Sequence, residues 1–203
     1  MHQELLGGLD EGTAYGRPRH TYDAELTEVG PGTPCGEFMR RYWHPVGLSE
    51  QATSRPRNVR ILGEDLVLFR ARNGKTGLLE ARCAHRGASL VYGWVEEDGL
   101  RCRYHGWKYN TFGKCTDQPG EKVARTETGR PVREERLMQK AYETRELGGL
   151  VFAYLGPQPA PVLPRFDMLV RTDGTRKAIV ARTIACNYLQ IVENSMDPVH
   201  LPF

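Results

Sequence analysis

From Tyr42 to Leu155 short runs of apolar residues, alternating with polar ones in places and unbroken in others, recur between turn residues, a pattern that predicts short strands rather than helices. Residues 58–62 and 66–70 read as two strands around a Gly63-Glu64-Asp65 turn, and Asn73-Gly74 turns the second strand toward Leu78-Leu79-Glu80. Further on, Lys108-Tyr109-Asn110 and Lys114-Cys115-Thr116 bracket Phe112-Gly113, while 142–146 and 150–155 flank Gly148-Gly149. These hairpins predict an antiparallel β domain over 25–155. Thr33 followed by Pro34 predicts a short helix at its entrance, with Thr33 as N-cap. Residues 1–24 are polar and Gly-rich without an apolar period, and are expected to form a mobile extension.

The pattern changes after Leu155. Residues 156–165 hold prolines at 157, 159, 161 and 164, which predicts a stiff connector of the kind that joins two domains. Beyond it, 178–183 is a β-type run, and 187–194 carries Leu189, Ile191 and Val192 at the spacing of a short amphipathic helix. Residues 166–203 therefore read as the opening of a second domain.

Composition narrows the function classes. The 203 residues include 28 basic and 25 acidic side chains, mostly interspersed, and the net charge of +3 implies neither a nucleic-acid nor a lipid surface. The basic stretch from Arg55 to Arg60 reads as a solvated loop. No apolar run reaches the roughly 18 to 20 residues that span a bilayer, and the first residues lack a cationic segment followed by an apolar one, so no membrane partner and a cytoplasmic location are expected. Of the five cysteines, Cys35, Cys115 and Cys186 have no regular spacing and are expected to be buried thiols rather than a disulfide framework.

The other two cysteines carry the chemistry. Cys83-Ala84-His85 and Cys102-Arg103-Tyr104-His105 put a Cys/His pair on each side of a sixteen-residue gap. Two Cys and two His suit a tetrahedral zinc site, or a [2Fe–2S] cluster of the Rieske type, in which two thiolates hold one iron and two imidazoles the other. The surroundings favour the cluster. Each pair is followed by a Gly-containing turn, His85-Arg86-Gly87-Ala88 and His105-Gly106-Trp107, where Gly lets the backbone close around a bulky group and Trp107 can exclude water.

With those flanks, the two motifs resemble the Rieske domain of non-haem iron aromatic ring-hydroxylating oxygenase α subunits. Gly30-Pro31-Gly32-Thr33-Pro34, Met39-Arg40-Arg41-Tyr42-Trp43 and Leu62-Gly63-Glu64-Asp65 are similar to the branch of phthalate dioxygenases and aromatic O-demethylases, and the likeness covers about 25–203. The resemblance implies a mainly β fold: an antiparallel Rieske [2Fe–2S] domain, then the first strand and helix of an α+β (helix-grip) catalytic domain with a mononuclear Fe(II). It implies Cys83 and Cys102 on one cluster iron and His85 and His105 on the other. Rieske proteins of respiratory complexes carry an extra Cys in each loop and a Ser after the second His-Gly. Here Ala88, Tyr104 and Trp107 stand there, so that Ser hydroxyl is missing and a potential low in the Rieske range is expected.

A second cluster of polar residues, Glu193-Asn194-Ser195-Met196-Asp197-Pro198-Val199-His200, matches the family's Asp-x-x-His segment. The resemblance implies His200 as an iron ligand and Asp197 as the carboxylate linking it to a cluster histidine of a neighbouring subunit, here His105. It also implies Asn194 as a polar residue beside the iron. Positions 194, 197 and 200 share one helical face if the helix continues, whereas Pro198 equally suits Asp197 as the cap of a new turn. The resemblance puts the second His and the distal carboxylate beyond Phe203, and His2, His20 and His44 precede the cluster motifs and are expected at the surface or in packing. The site is thus expected to be incomplete within 203 residues.

The implied activity is O2-dependent hydroxylation or O-demethylation of an aromatic compound. Electrons from NAD(P)H would arrive through a flavin and iron–sulfur reductase, in a head-to-tail homotrimer. The rival reading is a stand-alone Rieske ferredoxin-like carrier, which explains the cluster but not the connector or the residues after it.

Overall fold

The computed structural model describes residues 22–120, 137–179 and 184–200, and the chain divides into two compact units, 29–184 and the pair of segments 1–28 and 185–203.

In the larger unit, helix α2 (Pro34–Met39) starts where expected, with the Thr33 side chain accepting from the Gly36 amide at 3.2 Å. Strands β1 (Trp43–Leu48), β2 (Arg57–Ile61), β3 (Glu64–Arg70), β4 (Thr76–Glu80), β9 (Ala141–Leu147) and β10 (Leu150–Tyr154) form one antiparallel sheet in the order β1-β10-β9-β4-β3-β2. A second sheet holds β5 (Trp94–Val95), β6 (Gly99–Arg101), β7 (Lys108–Asn110) and β8 (Cys115–Asp117) in sequence order. The mainly antiparallel β architecture expected from the apolar runs is present.

Strand β3 explains how the two faces of the large sheet are used. Leu66 and Leu68 join one buried cluster with Leu78, Val151 and Ala153, while Val67 and Phe69 join another with Leu79, Leu90, Leu100, Trp107 and Tyr109. Side chains two apart point the same way, so a strand covered on both faces reads as an almost unbroken apolar run. Cys83 and Cys102 belong to the second cluster. The two Cys/His loops therefore sit on a packed core.

The β2–β3 turn differs from the expected Gly63-Glu64-Asp65. It consists of Leu62 and Gly63, both at positive φ (45° and 76°), and Glu64 and Asp65 are ladder positions opposite Ile61 and Arg60. Three ion pairs and a tyrosine hydroxyl account for this. Asp65 pairs across the hairpin with Arg60 at 2.8 Å, and the buried Glu64 carboxylate accepts from Arg40 at 3.0 Å, Lys140 at 2.5 Å and the Tyr142 hydroxyl at 2.6 Å.

After β10, the Pro-rich stretch is pinned by the Trp43 indole, which donates to the Pro161 carbonyl at 2.8 Å, and a short helix α3 (Asp167–Val170) comes next. The β-type run expected at 178–183 is not strand at 178–179, and 180–183 lie outside the described residues.

In the smaller unit, α1 (Ala24–Thr27) is capped by Asp23, so the expected extension ends in a helical turn; residues 1–21 lie outside the described residues. Helix α4 (Tyr188–Met196) occupies the predicted amphipathic segment, with Asn187 as N-cap. Asn187 and Tyr188 also donate to the carbonyls of Thr27 and Leu26, each at 2.7 Å. Among the described residues no helix is long and apolar enough to cross a membrane.

Candidate metal centre

The first Cys/His motif lies between β4 and β5, the second between β6 and β7, and the two loops share one backbone design. In the first, the Cys83 amide donates to the Ala88 carbonyl (2.8 Å) and the Gly87 amide to the Cys83 carbonyl (2.8 Å); in the second, the Cys102 amide donates to Trp107 (2.8 Å) and the Gly106 amide to Cys102 (3.0 Å). Gly87 and Gly106 both adopt left-handed φ, 68° and 75°, which Gly takes without the steric penalty of a side chain. The residue before each Cys braces its loop: Arg82 donates to the Gly87 carbonyl at 3.4 Å and Arg101 to the Gly106 carbonyl at 2.6 Å. Both loops thus follow Arg-Cys with Gly four residues after the Cys. Only the His shifts, from two to three residues after it.

This arrangement brings the predicted side chains together as two pairs, imidazole with imidazole and thiol with thiol. The two imidazoles face each other through their Nδ1 atoms at 3.2 Å, with ring centroids 4.8 Å apart, so Nε2 of each ring points away from the pair. The buried Cys102 thiol lies within hydrogen-bonding reach of Cys83. Burial pushes the Cys102 thiol up, while the backbone amides of Tyr104 and His105 pull it down. Those amides are donors to sulfur, as a metal-bound thiolate requires.

The rest of the surroundings are apolar or donor-rich. Trp107 stacks on His85 with centroids 4.2 Å apart and planes parallel within 1°, and its buried indole N–H has no hydrogen-bond partner among the described residues. Tyr109, fully buried, puts its hydroxyl 3.2 Å from Cys83 Sγ. Burial, and next the Cys83 contact, push the Tyr109 hydroxyl's pKa up. Gln139, 1% exposed, threads its amide behind the first loop, donating to the carbonyls of Glu80 (3.0 Å) and Arg82 (2.7 Å) and accepting from the Ala84 amide (2.7 Å).

Tyr109 and Gln139 escape sequence reasoning. The Ser position holds Trp107 as read, but β7 brings a different hydroxyl, that of Tyr109, to within hydrogen-bonding reach of Cys83 Sγ. Of the other cysteines, Cys115 is buried as expected, Cys35 is half-buried, and Cys186 is exposed, contrary to expectation. All five are thiols.

The donor set fits a two-iron cluster. Its members form a thiol pair and an imidazole pair, the division that a cluster with one iron on two thiolates and the other on two imidazoles requires.

The second group of residues is less unified. Helix α4 ends at Met196, Asp197 is extended (φ −82°, ψ 108°), and Pro198–His200 form a 3-10 turn whose Val199 amide donates to Asp197 Oδ1 at 2.9 Å. Asp197 thus caps the turn that Pro198 starts, and Asn194, Asp197 and His200 do not share one continuous helical face. Of the histidines set aside, His44 has its Nε2 2.8 Å from the Met39 carbonyl, a packing role; His2 and His20 lie outside the described residues.

Comparison with known proteins agrees with this site. The family model of the Rieske [2Fe-2S] domain matches residues 42–130. The 5,5'-dehydrodivanillate O-demethylase oxygenase subunit of Sphingobium sp. is 49% identical over 177 residues, covering 87% of this chain and 41% of that protein. The tert-butanol monooxygenase / tert-amyl alcohol desaturase oxygenase subunit of Aquincola tertiaricarbonis is 43% identical over 98% of this chain and 43% of its own length. Among solved structures, dicamba monooxygenase with non-heme iron and dicamba superposes with a TM-score of 0.55 at 26% identity, covering 65% of this chain and 39% of that one. The chain spans less than half the length of these relatives.

Proposed function

We propose, from the premise that this chain belongs to the Rieske [2Fe–2S] family of oxygenase subunits, that it is the electron-receiving portion of a Rieske non-haem iron oxygenase. Cys83 and Cys102 would hold one iron of the cluster, and His85 and His105 the other. The observation that carries this is the pair of matched loops, which present two buried thiols and two imidazole Nδ1 atoms 3.2 Å apart. Bound there, the cluster supplies one-electron transfer at a potential within roughly −150 to +300 mV.

The protein's own groups have separable tasks. The amides of Tyr104 and His105 and the hydroxyl of Tyr109 donate to the sulfurs, which favours added electron density at the site. Trp107 covers the His85 ring and excludes water. The two imidazoles turn their Nδ1 atoms toward each other, the nitrogens that would meet the second iron.

For the whole oxygenase, the reading is O2-dependent hydroxylation or O-demethylation, with electrons from NAD(P)H delivered by a flavin and iron–sulfur reductase, in a cytoplasmic homotrimer. An aromatic substrate is supported by the relative named as an O-demethylase of dehydrodivanillate. A mononuclear Fe(II) would take His200 as ligand, with Asp197 linking it to a neighbouring subunit's cluster histidine and Asn194 beside it. The stand-alone carrier is the weaker reading. The match to an oxygenase subunit runs for 177 residues, more than the domain and everything before it contain.

The ligand assignment is tested by His105→Cys. The variant should keep an iron–sulfur cluster while its potential falls toward the roughly −400 mV of all-cysteine plant-type clusters. An unchanged potential removes His105 from the ligand set.

A further inference from the structure

A groove of about 1130 Å3 opens beside the second ligand loop, lined by the 54–56 loop, Arg72, residues 91–97 and Arg103. Its charges are unbalanced. Arg55, Arg72 and Arg103 are all exposed, and among the described residues none of their guanidiniums takes part in an ion pair or hydrogen bond; Arg103 instead lies over the Trp94 ring at 4.8 Å. Of the two acids in the groove, Glu96 is already held by Arg101 at 2.5 Å and Lys108 at 3.4 Å, and the Arg101 hydrogen bond keeps its carboxyl below the usual range. That leaves three unpaired cations against Glu97. Tyr92 and Trp94 add exposed aromatic surface, 70% and 51% exposed. Arg, Tyr and Trp are the residues that dominate protein–protein hot spots, and an unpaired cationic cleft steers an acidic partner toward itself.

Position decides which partner. Arg103 is bonded directly to Cys102, so whatever docks on the groove sits one residue from a thiol proposed to hold iron. We infer that this groove is the docking surface for the acidic face of a one-electron donor protein carrying an iron–sulfur centre. The inference rests on the cluster assignment above and adds the place of electron entry. The exchange is balanced by one electron: the donor's reduced centre is oxidised, the site behind Cys102 is reduced, and no bond or proton changes hands.

The test uses the full 203-residue chain with its cluster reconstituted, and a chemically reduced plant-type [2Fe–2S] ferredoxin as the acidic donor. Stopped-flow absorbance should show reduction that slows steeply as salt rises, and the charge-reversed R55E/R72E chain should be reduced roughly tenfold more slowly at low salt, with a much flatter salt dependence. Both residues lie outside the ligand loops, so dithionite should give both proteins the same EPR signal. Equal rates for the two chains, a salt-independent rate, or no reduction by ferredoxin would overturn the docking surface. So would an R55E/R72E variant whose oligomeric state changes while its rate does not, since the groove would then join copies of this chain. Absence of the dithionite signal in the unmodified chain would instead remove the cluster assignment itself, which separates the two failures.

Discussion

The Tyr109 hydroxyl stands 3.2 Å from Cys83 Sγ, so the strand that leaves one Cys/His loop brings a hydroxyl to the sulfur of the other, which a metal-bound thiolate could only accept from. Tyr109 pairs with Leu100 across β6 and β7 and is fully buried, which fixes its ring beneath both loops. A donor to sulfur favours the reduced, more negative state. Tyr109→Phe, which keeps the ring and removes only the oxygen, should therefore lower the midpoint potential by ~40 mV for each ~1 kcal/mol of hydrogen bond lost on reduction. Spectroelectrochemical titration of the two proteins checks this, and an equal potential would make the contact a packing feature.

Gln139 should matter to cluster retention more than its distance in sequence suggests. Gln139→Leu removes the Gln139 partner from the Glu80 and Arg82 carbonyls and the Ala84 amide at a partly buried strand end, at up to about 1 kcal/mol each. Iron content per folded chain should fall. Gln139→Glu restores the acceptor for Ala84 but not the two donors, and should recover only part of it. Full iron in the Leu variant would show that the loop holds its shape without this brace.

Two glycines separate backbone strain from steric clash. Gly87 has φ +68° with nothing within 4 Å of where an added methyl would sit, so Gly87→Ala should cost about 1–2 kcal/mol from conformation alone. Gly113 has φ +83°, and an added Cβ would overlap the Gln139 carbonyl oxygen. Gly113→Ala must displace Gln139 and should lose both stability and iron. Thermal melts with iron analysis distinguish the two, and equal losses would contradict the account of Gln139.

Glu64 governs acid stability at the opposite side of the sheet. Burial alone would raise its carboxyl, but donation from Lys140, Tyr142 and Arg40 outweighs this and holds it below its ordinary value of 4.5. A carboxyl depressed in the folded state adds stability above its unfolded pKa and loses it as pH falls through the folded one. Glu64→Gln should cost about 3 kcal/mol near neutrality, roughly 6–12 °C in Tm. The difference from the parent should shrink below about pH 4.5. A difference constant from neutral pH to acid would mean that packing, and not charge, holds this network.

The strands and the pairing of the two Cys/His motifs were legible because both are local signals: short apolar runs between turn residues mark strands, and Cys and His in matched turns mark two similar loops. The shared Arg-Cys with Gly four residues on was also visible in the sequence, once Arg82 and Arg101 are compared. The Leu62-Gly63 turn was not, because the acids after it read as turn residues until Arg40, Lys140 and Tyr142 are known to surround Glu64. Tyr109 and Gln139 lie 26 and 55 residues from the groups they meet, the Cys83 sulfur and the Ala84 amide, and no local pattern announces such contacts. Asp197 was ambiguous in the sequence for a physical reason. One residue before a proline suits both a ligand segment and a turn cap, and its observed bond is the cap's.

The central claim is that these four side chains hold one [2Fe–2S] cluster. Low-temperature EPR of the dithionite-reduced chain, with parallel iron and sulfide analysis, tests it most directly. The account predicts a rhombic signal with an average g below that of all-cysteine clusters, together with two irons and two sulfides per chain. A colourless, EPR-silent protein containing zinc would contradict it.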